Sequence, residues 1–391
     1  MAEPILYSHQ ADEWLTTGYT WDHRTFSSHL AQVHFRRGEL ANAMEGIGFQ
    51  AKQEAVLSTL VSDITKSSEI EGDLLDTRQV RSSVARRLGM DAAGLPNPDR
   101  HVEGVVEMML DATQRFESPL TEERIFGWHA ALFPTGYSGL HKIDVGVWRD
   151  DAEGPMQVVS GPMGHEQVHY EAPAADRLPS EMARFLKWFE TEQIDPILKA
   201  AIGHLWFVTI HPLDDGNGRV GRAVMDMALA RADRTSQRFY SLSRQIHRSR
   251  ASYYEILERT QKRLSLDATE WVIWFLQRMT EALDASESVL HIVRSKHAFW
   301  RKNEDSQLNE RQTKVVNLLL DGDFIGKLQT SKYAKLAKCS VPTAFRDLDE
   351  LVAKGVLQME GTGRATNYVL AEMFPDSTPL ALIGGVDLNP G

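Results

Sequence analysis

The sequence predicts a mainly α-helical protein of two or three domains. Three observations carry that expectation. Apolar residues recur at helical spacing through most of the 391 residues. One stretch, 146–173, interrupts them with four glycines and three prolines around short β-prone pieces. Beyond the polar, charged segment 301–307 the pattern changes to three short helices and two short strands, the order of a winged helix-turn-helix.

In chain order, periodicity places helices at 26–47, 53–70, 102–116, 122–132, 179–192, 198–210, 219–232, 251–264 and 268–293. Pro96-Asn-Pro98 breaks the early run, so 1–97 reads as a helical extension packed on a core at 98–300. Segments 156–159 and 167–170 flank Ser160-Gly-Pro-Met-Gly164 and form a β-hairpin with a long tip. After a linker at 301–307, helices at 309–320, 330–337 and 340–354 and strands at 355–359 and 367–370 make the winged helix, 308–373. Residues 374–391 are a loose tail.

Composition narrows the class. The chain is 42% hydrophobic and 25% charged, ordinary for a soluble globular protein. No apolar run is long enough for a bilayer, and the start Met1-Ala-Glu-Pro-Ile lacks signal-peptide character, so a cytoplasmic protein with no membrane partner is expected. The single cysteine, Cys339, excludes an internal disulfide framework and a cysteine zinc cluster. A net charge of -11 argues against nucleic-acid binding by the whole molecule. His23, His29 and His34 fit no metal-ligand spacing and read as packing or surface residues.

The chemistry concentrates in His211-Pro-Leu-Asp-Asp-Gly-Asn-Gly-Arg-Val-Gly-Arg222. Pro212 ends the helix before it, and a new helix begins near Asn217 or Gly218. Asp215-Gly-Asn-Gly218 therefore delivers unpaired backbone N–H groups at a helix N-terminus, an anion site suited to phosphate. Gly216 and Gly218 let the backbone approach a ligand closely. Arg219 and Arg222, three apart, can reach one polyphosphate. Asp215 is a hard oxygen ligand for Mg2+, and His211 can serve as general base near neutral pH. A surface turn capped by Asp and Asn is the plain alternative for Asp-Gly-Asn-Gly alone. The preceding His-Pro and the paired arginines reverse that preference.

At these residues the sequence resembles the Fic family, whose motif is His-x-Phe-x-(Asp/Glu)-Gly-Asn-Gly-Arg-x-x-Arg. Leu213 stands where that motif has phenylalanine and keeps an apolar anchor. The resemblance implies a Fic-type helical core that moves AMP from ATP onto a Ser, Thr or Tyr hydroxyl of a protein, itself included, with release of pyrophosphate. It implies His211 as base, Asp215 as Mg2+ ligand and Asn217 at the α-phosphate, with Gly216 and Gly218 shaping the anion hole. Arg219 and Arg222 would hold the β- and γ-phosphates. The hairpin becomes the flap on which a target segment is laid as an added strand, with Val158, Val159, Val168 and Tyr170 as docking residues. Tyr253 and Tyr254 fall where the family presents tyrosines to adenine; ordinary helix packing is the other reading.

Upstream, Ser67-Ser-Glu-Ile-Glu-Gly72 resembles the family's inhibitory pattern, Ser/Thr-x-x-x-Glu-(Gly/Asn). Glu71 closes a helical stretch and Gly72 suits its C-terminus. A carboxylate brought to Arg222 would take the seat of the γ-phosphate. By itself Glu71 would read as a solvated carboxylate; beside the loop it reads as a brake.

The winged-helix segment carries nine Lys/Arg and seven Asp/Glu between Leu308 and Leu370. Ser340 would cap the recognition helix, Thr343 and Arg346 would face DNA, and Arg364 would sit at the wing tip. Protein contact, including a homodimer, is the alternative use. Two further readings of the whole chain stay open: removal of AMP by the same site, and a DNA-binding transcription regulator that senses ATP.

Overall fold

The computed structural model describes residues 6–371 except 46, 91, 93, 153, 162–166, 304–305, 321–325 and 362–365, and for 50, 287–295 and 297 the backbone alone. Two compact units result, 1–46 with 52–286, and 47–51 with 287–391.

The first unit is mainly helical, as the periodicity predicts. Its helices are α1 (Trp14–Thr17), α2 (His23–Glu45), α3 (Phe49–Ile70), α4 (Thr77–Arg87), α5 (Arg100–Gln114) and α6 (Glu122–Leu132). Two antiparallel hairpins follow, β1 (Tyr137–Ser138) with β2 (His141–Lys142), and β3 (Gln157–Ser160) with β4 (Gln167–Glu171). Then come α7 (Leu178–Thr191), α8 (Pro196–Ile210), α9 (Asn217–Asp233), α10 (Leu242–Arg248), α11 (Arg250–Gln261) and the long α12 (Thr269–Lys302), which begins in this unit. α12 runs nine residues past its predicted end and takes in the first two residues of the expected linker.

α8 sits at the centre because it is apolar on every side. Every residue from Ile197 to Ile210 except Lys199 is buried. Asp195 caps it, accepting from the Ile197 and Leu198 amides at 2.8 and 3.3 Å, and Pro196 occupies a first-turn position where no N–H is needed. α9 packs along α8 at close range. A Cβ on Gly221 would stand 2.9 Å from Val208 Cγ1, so glycine there sets the separation of the two helices.

The N-terminal residues pack into the same unit as the core. Trp14 is fully buried, and its indole N–H lies 3.0 Å from both carboxylate oxygens of Glu181 on α7. The Tyr19 hydroxyl bonds Thr209 Oγ1 at 3.0 Å, one residue before the end of α8. α4 and α10 lie outside the predicted helices. α4 offers only Val80 and Val84 as large apolar positions and buries Ser82 and Ser83 beside them, so its periodicity is weak. α10 is seven residues long, set by the Ser241 cap.

In the second unit the order is α13 (Glu310–Leu320), α14 (Thr330–Ala337), α15 (Val341–Ala353) and the antiparallel ribbon β5 (Leu357–Glu360) with β6 (Asn367–Leu370). Val315, Val316, Tyr333, Leu348, Leu351 and Val356 fill its core. Ser340 caps α15 by accepting from the Thr343 amide at 3.3 Å. Arg346 is exposed, and so are Val341 and Phe345 at 57% each, so the outer face of α15 is partly apolar. The expected wing tip with Arg364, the hairpin tip at 162–164 and the tail at 374–391 lie outside the described residues.

α5 and α6 touch backbone to backbone at Gly104, where a Cβ would meet the Ala131 carbonyl oxygen at 1.7 Å. Gly104→Ala should therefore lower stability by about 1–3 kcal/mol, because the helices must separate. Gly38→Ala on α2, with nothing within 4 Å of its added methyl, should raise stability by about 0.5–1 kcal/mol. Thermal melts of both variants check the contrast, and a Gly104→Ala chain that melts with the native one would refute it.

Candidate active site

The loop between α8 and α9 is held open by its own backbone. His211 ends α8 in the left-handed region at φ 51°, ψ 58°, since the residue before Pro212 is kept from continuing the helix. Leu213 is fully buried as an apolar anchor. Asn217 closes the loop from both sides: its Nδ2 donates to the Leu213 carbonyl at 2.7 Å, and its Oδ1 accepts from the Leu213 amide at 2.9 Å. The amide side chain expected at a phosphate is thus engaged in shaping the loop. Gly216, at φ 78°, makes the last bend before α9. The first-turn amides of α9 are left facing the cleft, positive end first.

His211 Nδ1 lies 3.1 Å from the Val208 carbonyl oxygen. A carbonyl only accepts, so Nδ1 carries the proton and Nε2 is left as the basic nitrogen. Burial pushes the imidazole below its ordinary value, so the ring is neutral at physiological pH. Asp215 is half-exposed; its Oδ1 accepts from the Gly216 amide at 2.5 Å and its Oδ2 from the Ser138 hydroxyl on β1.

Both arginines are occupied by the segment that ends α3. Arg222 is wholly buried and donates through Nε to Ser67 Oγ at 2.8 Å, through Nη2 to the Ser67 carbonyl at 2.8 Å, and through Nη1 to Glu71 Oε1 at 2.7 Å. Gly72, at φ 81°, turns the chain out of the helix, and the Asp73 amide returns to the Ser68 carbonyl at 3.1 Å. Glu71 Oε1 also covers Gly218, where a Cβ would lie only 2.0 Å away. Arg219 donates to Asp73 Oδ2 at 3.1 Å and rests over the Phe133 ring. The same Asp73 oxygen pairs with His101 Nε2 at 2.9 Å.

Glu71, β3, β4, the loop and α11 enclose a cleft of about 690 Å³, within the usual range for small-molecule sites. Val158 and Val168 are half-buried on the hairpin, and Val159 is exposed at 47%. Tyr170, expected on the docking face, points inward. Its hydroxyl donates to the Thr209 carbonyl at 2.7 Å, which ties β4 to α8. Tyr253 lines the cleft but is buried, with its hydroxyl 2.8 Å from His204 Nε2 and its ring against Trp271 and Trp274. Tyr254 is the accessible ring of the two, tied to the Ile70 carbonyl at 3.2 Å.

Two groups escape sequence reasoning. Arg149, buried at 2% exposure, donates through Nε to the His211 carbonyl at 2.8 Å and through Nη2 to the Pro173 carbonyl at 2.6 Å. It braces the His-Pro turn against the chain leaving the hairpin, and nothing local marks it. Asp73 had one signal, its place two residues beyond Glu71 at the same helix end.

Comparison with known proteins bears on the segment that holds this loop. Residues 119–229 match the Fic/DOC family profile. The chain carries a Fic/DOC family domain. Residues 7–90 match a second profile, a domain of unknown function (DUF4172). A protein adenylyltransferase Fic of Drosophila yakuba is 27% identical over 216 residues, 52% of this chain and 36% of that protein. A uridine 5'-monophosphate transferase of Xanthomonas campestris is 31% identical over 124 residues, 29% of this chain and 22% of that protein. The chain thus spans about a third or less of these relatives. The crystal structure of a Fic family protein from Desulfovibrio desulfuricans aligns with a TM-score of 0.52 at 21% identity, covering 90% of this chain and 97% of that one, a likeness of fold. No helix among the described residues is long and apolar enough to cross a membrane.

The Asp73–His101 pair has a defined pH signature. The hydrogen bond to Asp73 raises His101, so its contribution to stability is full below its ordinary value and is lost as pH rises through the raised one. Burial acts to raise Asp73, but His101 and then Arg219 outweigh it and hold it low, so its contribution is lost only as pH falls through that lowered value. With Asp73→Asn, burial and Arg219 remain against His101. Its titration midpoint by NMR should then drop below the ordinary histidine value. An unchanged midpoint would contradict the pairing.

Proposed function

We propose that the chain transfers AMP from ATP to a hydroxyl of a protein and is held at rest by Glu71. The observation that carries this reading is the His211 ring, neutral and with Nε2 basic, beside the N-terminus of α9. That is what an attacking hydroxyl and a polyphosphate jointly require. The hydroxyl oxygen attacks the α-phosphorus, Nε2 of His211 takes its proton, and pyrophosphate departs. The first-turn amides of α9 stabilise the α-phosphate oxygens, while Arg219 and Arg222 hold the distal phosphates.

Mg2+ usually takes one or two protein carboxylates plus phosphate and water, and Asp215 fits that role as a single partly exposed ligand. Among the described residues no group of three or more His, Cys, Asp or Glu forms a cage for it. When bound, the ion would neutralise phosphate charge.

The brake reading rests on where the Glu71 carboxylate lies. It takes Arg222 and covers Gly218, the cation and helix end that a phosphate would use. Asp73 holds Arg219 in the same way. ATP bound beside Glu71 would have its phosphates displaced, and a displacement of about 1 Å slows such chemistry about a hundredfold. The reverse reaction, removal of AMP with Glu71 orienting a water, would use the same groups. A native chain that strips AMP from a modified target while Glu71→Gly does not would select it.

Labelling with ATP radioactive at the α-phosphate, in Mg2+ and a cell extract, tests the forward reading. Native protein should label the proteins of the extract faintly, Glu71→Gly about a hundredfold faster, and Glu71→Gly with His211→Ala none of them. Equal labelling in all three folded proteins would sink the idea. A parallel run with labelled UTP decides the base, since one relative is named for UMP transfer.

A further inference from the structure

Three side chains at the edge of the cleft form a relay that the proposed transfer does not use. Ser160 Oγ, at the end of β3, lies 2.6 Å from His169 Nε2 on β4. His169 Nδ1 lies 2.8 Å from Glu258 Oε2 on α11. Burial works against ionising Glu258, but its bonds to Lys262 and His169 win and hold it low, so it is a carboxylate that only accepts. In the neutral ring, therefore, Nδ1 bears the proton and Nε2 receives the Ser160 hydroxyl. Nucleophile, base and orienting acid stand in the order that activates a hydroxyl.

The surroundings say what this hydroxyl could attack. Ser160, His169 and Glu258 all line the cleft that holds His211 and the α9 N-terminus. The other hydroxyls lining it, among the described residues, are those of Tyr170, Tyr253 and Tyr254. Tyr170 and Tyr254 donate to backbone carbonyls and Tyr253 is bonded to the buried His204, so none has a basic partner open to the cleft. Ser160 is exposed, sits on the strand that would receive a target, and carries its own base.

We infer that Ser160 is a self-modification site, the acceptor of AMP from the chain's own nucleotide site with His169 as base and Glu258 as the residue that positions it. The inference rests on the AMP-transfer reading above. In the step, Ser160 Oγ bonds to the α-phosphorus of ATP, the bond from that phosphorus to the bridging oxygen breaks, pyrophosphate leaves with that electron pair, and the hydroxyl proton passes to His169 Nε2. The product is a phosphodiester on β3, with a bulky, charged group where a target strand would be laid.

The experiment uses the full chain carrying Glu71→Gly, incubated with α-labelled ATP and Mg2+, with the adduct mapped by mass spectrometry. The AMP should map to Ser160, vanish with Ser160→Ala and return with Ser160→Thr. With His169→Gln it should form about a hundredfold more slowly, while thermal melting stays at the parent's value. An adduct on another residue, or Ser160→Ala labelling like its parent, overturns the inference and leaves the transfer reading intact, provided that Arg222→Ala abolishes the label. Label indifferent to Arg222→Ala, or no label in any variant, overturns both. Ser160 labelling at the parent rate in His169→Gln overturns the role of His169.

Discussion

The guanidinium of Arg222 is the contact through which the N-terminal residues and the loop depend on each other. It is fully buried and engages Ser67 twice and Glu71 once. A buried charge with a missing partner costs about 3–5 kcal/mol, so the end of α3 and the start of α9 hold each other in place. A second buried set lies further along the same two helices. Arg238 pairs with Asp226 of α9 and stands 3.7 Å from Asp63 of α3, and its charge is stabilised by both carboxylates despite burial. α3 is thus bound to α9 at two levels. On the proposed reading, a nucleotide must replace one of these contacts without loosening the other.

The loop's geometry depends in turn on α8. Its apolar surface fixes it in the centre, and its end carries polar tethers from every side. Thr209 receives Tyr19 from the N-terminal segment, Gln261 from α11 and, through its carbonyl, Tyr170 from the hairpin. Arg149 adds the turn itself. His211 is therefore placed by four separate stretches of chain, so its orientation is a property of the whole unit.

Much of this was legible in the sequence, and the reason is locality. The loop from His211 to Arg222 and the string from Ser67 to Gly72 are each continuous, and their residue types carry their chemistry openly. The long amphipathic helices announce themselves by spacing, whereas α4 and α10 do not, being polar or short. Arg149, the Asp73–His101 pair and the Ser160–His169–Glu258 relay were out of reach, because each joins residues that only the fold brings together. Tyr170 was placed on the right element but credited with the wrong direction, and Tyr253 follows the packing alternative, each hydroxyl being engaged inward.

The left-handed backbone of His211 has an energetic meaning of its own. A residue with a Cβ held at φ 51° carries about 1–2 kcal/mol of strain that glycine would not. The brace from Arg149 to the His211 carbonyl helps to hold that conformation. Backbone geometry alone would thus favour glycine at this position. A histidine held there despite the strain points to a requirement other than backbone comfort.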